Sequence, residues 1–217
     1  MSKANKSNKA IKYRLYPNDE QKVMFAKTFG CCRFVYNQLL ALQKQRYKDG
    51  ESHLSKLKSN EFATRTLKKD YDFLKEIDKF AVSNAVFHLA DAYDRFFKKQ
   101  NHFPKFKSKR KSKKSYTTNF TNNNILIGKN VIKLPKVGMV KAVIHKLPKD
   151  DWKLKSVTVS QDGVGNYFAS VLFEYEQEDI PSVSKSSTNA IGLDYKSDGL
   201  YMDSNGNKAG VHKYYRE

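Results

Sequence analysis

The chain has 217 residues, 39% hydrophobic and 13% aromatic, enough to bury one or two real cores and to exclude a disordered polar tract. Its 41 Lys and Arg against 22 Asp and Glu give a formal net charge of +19, a balance that implies a polyanionic partner, usually nucleic acid. The excess is localised: residues 98–114 carry nine Lys/Arg and no acid, while residues 1–97 net only +8. The N-terminus, Met1-Ser2-Lys3-Ala4-Asn5-Lys6, is polar with no apolar core behind it, and no stretch approaches the ~20 apolar residues of a membrane span. Neither a secretory signal nor a membrane partner is therefore expected, and the expected location is the cytoplasm, on the nucleoid when bound to DNA.

In chain order, Ala10–Tyr16 alternates apolar and basic residues and reads as a β-strand with Lys12 and Arg14 on one face. Pro17 and Asn18 end it, and Asn18 with Gln21 forms a helix-capping pattern. From Asp19 to about Lys48, Phe25, Phe29, Cys32, Tyr36 and Leu39 recur at helical spacing, while Gly30, Arg33 and Asn37 form a second, small and polar stripe. That stripe suits either approach to a nucleic-acid backbone or a polar surface with a helix–helix contact at Gly30. A polar helix is expected within 55–76, and a better one through Val82, Ala85, Leu89, Tyr93 and Phe96, with Ser83 or Asp78 near its start. The adjacent Cys31 and Cys32 point about 100° apart on a helix and have no partner pair, so they read as small buried residues of a reduced protein and not as zinc ligands.

The basic stretch 98–114 contains Pro104, which excludes a continuous helix. It interleaves Phe103 and Phe106 with cations, and lies between a helix and strands, so nucleic-acid contact is favoured over a solvated tail. Beyond it the period changes to two. Ser115–Thr121, Ile125–Ile127, Val131–Leu134, Met139–His145, Lys155–Gln161 and Tyr167–Tyr175 read as strands of an antiparallel barrel or sandwich. Residues 179–189 read as a linker. His53, His88, His102, His145 and His212 show no ligand spacing, and His88 with Asp91 suggests a structural hydrogen bond on one helical face. Finally, Ala190-Ile191-Gly192-Leu193-Asp194 is an apolar run closed by an acid, followed by the turn Tyr195–Gly199, a second run Leu200-Tyr201-Met202 and a hairpin signal at Asn205-Gly206.

Several segments together resemble the TnpB (OrfB) family of transposon-encoded proteins, understood as RNA-guided DNA endonucleases. They are Lys12-Tyr13-Arg14-Leu15-Tyr16-Pro17 with Gln21, then Gly30-Cys31-Cys32-Arg33-Phe34-Val35-Tyr36-Asn37 and Ala92-Tyr93-Asp94-Arg95-Phe96-Phe97. Phe103-Pro104-Lys105-Phe106-Lys107-Ser108-Lys109 with Ser115-Tyr116, and Ile191-Gly192-Leu193-Asp194, complete the ordered set. The resemblance implies an α+β fold: an oligonucleotide-binding-like antiparallel β-barrel, the wedge domain, with an inserted helical recognition lobe and the first hairpin of an incomplete RNase H-like, RuvC-type domain. Residues 1–18 would supply the first barrel strand, 19–100 the recognition domain, 101–114 the basic contact segment, 115–178 the rest of the barrel, and 190–217 the start of the nuclease domain.

The residues expected to contact nucleic acid are Lys12, Arg14, Arg33, Asn37, Lys105, Lys107, Lys109, Arg110, Lys111, Lys113, Lys114 and Tyr116. Asp194 would be the first metal-binding, catalytic carboxylate. The implied partners are a guide RNA from the transposon end, a target DNA and a C-terminal half supplied in trans. Mg2+ is expected for a complete family enzyme, with none held by this chain alone. Family members run to roughly twice this length, and later catalytic acids and a zinc ribbon would lie past Glu217. The expectation is therefore a chain inactive by itself, Asp198 and Asp203 being turn residues and poor substitutes. A non-catalytic RNA-guided repressor and a plain basic RNA-binding protein remain alternatives.

Overall fold

A computed structural model describes residues 5–177, 191–195 and 199–210. The linker 179–189, Ala190, Lys196–Asp198 and His212 lie outside the described residues. The chain divides into two units at Gln177, each taken by itself below.

The alternation around Ile11 does what a period of two requires: Ile11, Tyr13 and Leu15 are buried, while Lys12 on the other face is exposed and Arg14 half-buried. Strand β1 covers Asn5–Tyr16, five residues earlier than expected at its start, because its partner is long enough to continue the ladder. That partner is β7, Tyr167–Gln177, paired antiparallel from Asn5↔Gln177 to Leu15↔Tyr167, with Lys6 bridging to Glu174 at 3.6 Å. Between them come β2 (Lys114–Asn119), β3 (Leu126–Ile127), β4 (Val131–Leu134), β5 (Gly138–Val143) and β6 (Lys153–Gln161). The seven-stranded sheet runs β2-β6-β7-β1-β5-β4-β3. The chain's first strand thus sits inside the sheet, between its last strand and β5.

The expected barrel is not closed. Edges β2 and β3 do not pair with each other, and a helix stands at the β2 edge. Asn84 of α4 (Lys79–Phe97) donates its side-chain N–H to the Thr117 carbonyl at 3.0 Å and to the Asn119 side chain at 3.2 Å. The edge carbonyl a closing strand would need is thereby occupied, a common way of blunting a sheet edge.

Helix α1 runs unbroken over Asp19–Lys48. Its start is fixed by the capping box read from sequence: Gln21 N–H donates to Asn18 Oδ1, and Asn18 N–H donates to the Gln21 side chain. Gln21 also donates to the Met139 carbonyl at 2.9 Å, tying the helix start to β5. All five residues of the expected apolar stripe are buried. Cys31 and Val35 join them because a second layer covers that side, where Phe34 meets Tyr71 and Phe73 edge-on at 4.8 and 5.3 Å. The polar helix expected in 55–76 is broken into α2 (Lys56–Glu61), a π-turn over Phe62–Leu67, α3 (Lys68–Asp70) and a 3-10 turn over Asp72–Lys75. Phe25 and Phe29 of α1 pack on Tyr116 of β2 at 6.3 and 5.9 Å, and Phe25 stacks on Tyr167 of β7 at 5.4 Å. One core therefore joins helices and sheet. No described helix is long and apolar enough to cross a membrane.

Asp78 holds the N-cap position of α4 without capping it. Its carboxylate instead accepts from the fully buried Thr118 hydroxyl at 2.6 Å, joining helix to β2. Asp78→Ala strands that hydroxyl and is expected to cost roughly 1–3 kcal/mol, read by urea unfolding; an unchanged midpoint would show that Thr118 does not depend on it. Deleting residues 1–17 exposes both flanking strands of β1, so amide exchange across 115–177 is expected to rise by orders of magnitude, and protection equal to the full chain would contradict the pairing.

Candidate nucleic-acid interface

The basic segment begins where α4 ends. Lys99 adopts the left-handed conformation (φ 57°) just past the helix, and Gln100 N–H closes on the Arg95 carbonyl at 2.8 Å. The chain then turns back along α1. Pro104 is buried, and Phe103 meets Tyr93 and Phe96 edge-on at 5.6 and 5.2 Å. Lys44 of α1 lies 5.5 Å from the Phe103 ring centroid and 4.8 Å from that of Phe106. Two helical turns earlier, Asn37 uses its whole amide: Nδ2 donates to the Lys107 carbonyl at 2.9 Å, and Lys107 N–H donates to Oδ1 at 2.8 Å. The Lys107 ammonium sits 3.9 Å from the Tyr36 ring centroid. Ser108 and Ser112 then close a turn, Ser108 N–H donating to Ser112 Oγ and Lys111 N–H to Ser108 Oγ.

The twelve expected contact residues separate into groups. Lys105, Lys109, Arg110, Lys111, Lys113 and Lys114 are exposed on this docked segment, Lys114 also bonding Gln161 at 3.1 Å. Lys107 is half-buried, and burial lowers its pKa, the nearby Cys32 thiol opposing that shift. Asn37 is engaged on the Lys107 backbone, so its side chain positions the segment. Arg33 is half-exposed and has no acceptor among the described residues. Gly30 beside it makes no close approach, since a Cβ there would meet nothing within 4 Å. Lys12 and Arg14 both lie on the outer face of the sheet over one ring, Phe168, at 4.2 and 5.0 Å, and Arg14 also bonds Asn166. Tyr116 is buried at 3% exposure under Phe25 and Phe29, which places its ring in the core and out of reach of a base.

Sequence reasoning missed an aromatic groove beside the segment. Tyr47, His53, Tyr93, Phe96, Phe97 and Phe103 line a cavity of about 680 Å3, with Lys44 and Lys48 at its rim. His53 meets Tyr93 edge-on at 4.5 Å, and burial lowers its pKa. The adjacent Tyr93, Phe96 and Phe97 at the end of α4 were the available signal. The hydrogen bond expected between His88 and Asp91 is absent: Asp91 pairs with Lys56 at 3.3 Å, and burial and Lys107 lower the His88 pKa. Both cysteines are buried with free thiols, and burial raises their pKa to about 11 for Cys31 and about 12 for Cys32. Their thiols accordingly stay protonated at neutral pH.

In the second unit, β8 (Leu193–Asp194), β9 (Tyr201–Asp203) and β10 (Lys208–Ala209) form an antiparallel sheet in the order β10-β9-β8. The hairpin expected at Asn205-Gly206 joins β9 to β10, with Gly206 at φ 83° where only glycine is unstrained. Asp194 is exposed opposite Met202. Asp203 accepts from Asn205 N–H, Asn207 N–H and the Asn207 side chain at 2.8–2.9 Å, and these bonds lower its pKa. Its carboxylate is spent on the turn. Among the described residues no three His, Cys, Asp or Glu side chains gather as a metal-holding group, so these residues alone do not fit a two-metal site.

Residues 7–52 match the helix-turn-helix domain HTH_OrfB_IS605, a span that in this chain is β1, a short turn and one unbroken helix. A "Putative RNA-guided DNA endonuclease" of Streptomyces pristinaespiralis is 30% identical over 96% of this chain and 51% of its own length. The "Putative RNA-guided DNA endonuclease InsQ" of Escherichia coli K12 is 29% identical over 85% of this chain and 44% of its own. The Cas12f1 protein, solved by cryo-EM in a complex with sgRNA and target DNA, superposes with a TM-score of 0.41 at 12% identity, covering 94% of this chain and 57% of that one. The chain spans about half the length of the curated relatives it matches. By the ordered motifs, the matched domain and these relatives, the chain belongs to the TnpB/OrfB family.

Proposed function

We propose that this chain binds guide RNA and target DNA as the N-terminal portion of a TnpB-like RNA-guided DNA endonuclease. In this reading β1 with residues 115–178 forms the oligonucleotide-binding-like wedge, 19–100 the inserted recognition lobe, and 101–114 the basic contact segment. Residues 190–217 begin a RuvC-like domain in which Asp194 is the first metal-binding carboxylate. The observation that carries the reading is the docking of the basic segment on α1 by the Asn37–Lys107 pair, which leaves six cations exposed on an ordered scaffold. A fixed array of cations can match the spacing of phosphates, at lower ordering cost than a free tail. The names of the two curated relatives support RNA and DNA as the polyanions.

Counterion release makes affinity fall with salt, with a slope of about 0.7–0.9 per neutralised phosphate. Replacing Lys105, Lys107, Lys109, Arg110 and Lys111 by Ala is expected to weaken RNA binding and flatten that slope by several units, measured by titration at four salt concentrations. An unchanged slope would assign the segment to solvent. Asn37→Ala removes no charge, so it is expected to lower affinity several-fold through lost docking while leaving the slope near wild type.

Cleavage by two bridged metal ions requires several carboxylates, and this reading assigns one, Asp194, to that role. The purified 217-residue chain with Mg2+ and a guide RNA is therefore expected to bind a target plasmid and leave it uncut. Guide-dependent cutting, lost in Asp194→Ala, would show that other acids of this chain complete the site.

A further inference from the structure

The aromatic groove is walled by rings from four places in the chain: Tyr47 at the end of α1, His53 after it, Tyr93, Phe96 and Phe97 at the end of α4, and Phe103 in the basic segment. Tyr93 is buried, with Phe97 nearly parallel to it at 6.2 Å and 22°. The other rings stay in water: Tyr47 is 84% exposed, Phe97 64% and Phe103 40%. Among the described residues the Tyr47 side chain meets no other ring and makes no hydrogen bond, so packing does not account for its place. Its volume of about 680 Å3 falls in the ~300–1,000 Å3 range of pockets that take small molecules, so a nucleotide fits. Exposed apolar surface gathered around such a cavity marks a binding site. Lys44 and Lys48 stand at the rim, and Glu51, the acid of the lining, is paired with Arg46. Burial lowers the His53 pKa, which keeps that ring neutral at pH 7.

We infer that this groove takes one unpaired nucleobase of an RNA strand, stacked on the exposed rings of Tyr47 and Phe97; the inference rests on the function proposed above. The rings make the site, and the cations only set the path of the strand. Phe103 belongs to both places: its ring lines the groove, and two residues on, Lys105 opens the run of exposed cations. A strand whose phosphates follow that run carries a flanking base to the mouth of the groove. Bases within a duplex present only their edges, whereas an aromatic wall needs a base face, so the occupant is unpaired. RNA offers such bases in its loops and bulges, while target DNA arrives paired. The positive rim suits the sugar–phosphate of that nucleotide and disfavours a basic partner. Stacking tolerates every base, so the groove holds a nucleotide without selecting its identity.

The probe is a short single-stranded oligoadenylate RNA with a fluorescent purine in place of one adenine, and the same strand annealed to oligouridylate is the duplex control. Binding to the full chain is expected to quench the purine. Tyr47→Ala and Phe97→Ala are each expected to weaken single-strand binding about fivefold or more and to reduce the quench, and Tyr47→Trp to restore both. Neither change removes a charge, so the salt slope is expected to stay at the wild-type value, and duplex affinity with it. Tyr47 is exposed enough that Tyr47→Ala is expected to melt as the wild type does, so its result decides if Phe97→Ala fails to fold. A loss at least as large on RNA as on oligodeoxyadenylate supports an RNA base, and a larger loss on DNA would overturn that choice. Wild-type affinity and quenching in Tyr47→Ala, or an equal loss on the duplex, would overturn the site, while steep salt dependence of the wild type leaves the proposed function standing. A wild-type dimer that Tyr47→Ala dissociates, with RNA affinity unchanged, would overturn it in favour of a second copy of the chain. A wild type that binds no nucleic acid would remove both the inference and the function beneath it.

Discussion

The aromatic seam between α1 and the sheet is the contact on which the first unit depends. Phe25 and Phe29 from the helix meet Tyr116 and Tyr167 from β2 and β7, two strands separated in the sheet by β6. Each such pair contributes about 0.5–1.5 kcal/mol beyond its buried area, and together they fix the helix at one place on the sheet. Because α1 carries Asn37 and Lys44, fixing α1 also fixes the basic segment. The cations of 105–114 and those of β1 therefore belong to one scaffold, and their spacing is a property of the fold and not of a flexible tail.

Much of the architecture was legible in the residues. Period-two alternation located the six strands after Ser115 to within two or three residues at most ends, and Asn18 with Gln21 announced the start of α1. Local signals failed where distant partners decide. Asn37 reads as a surface amide because Lys107, seventy residues on, cannot be seen from its neighbours. Tyr116 reads as an accessible aromatic beside lysines because burial by α1 is a tertiary fact. Barrel closure failed for the same reason: the strand pattern is right, but Asn84 of a helix takes the edge group. The start of β1 was missed because Lys6–Lys9 carries no apolar alternation, and the strand there is sustained by the backbone of β7. At the site, the cationic composition of 98–114 was plain, whereas its docking and the aromatic groove each need side chains from several elements.

The interior position of β1 has a consequence for how the chain is made. Ile11 pairs with Val171, so β1 is synthesised long before the strand that satisfies one of its two edges. Helices α1 to α4 hold mainly local contacts and can form in the interval, but the sheet cannot close, and such non-local topology is slow. During that wait β1 is an unpaired strand with a hydrophobic face, the kind of segment that recruits another copy. Lys6, Lys9, Lys12 and Arg14 interrupt it at two- and three-residue intervals, and charges so placed oppose edge-to-edge association. The basic residues of this strand thus protect the nascent chain well before the folded sheet presents them to a polyanion.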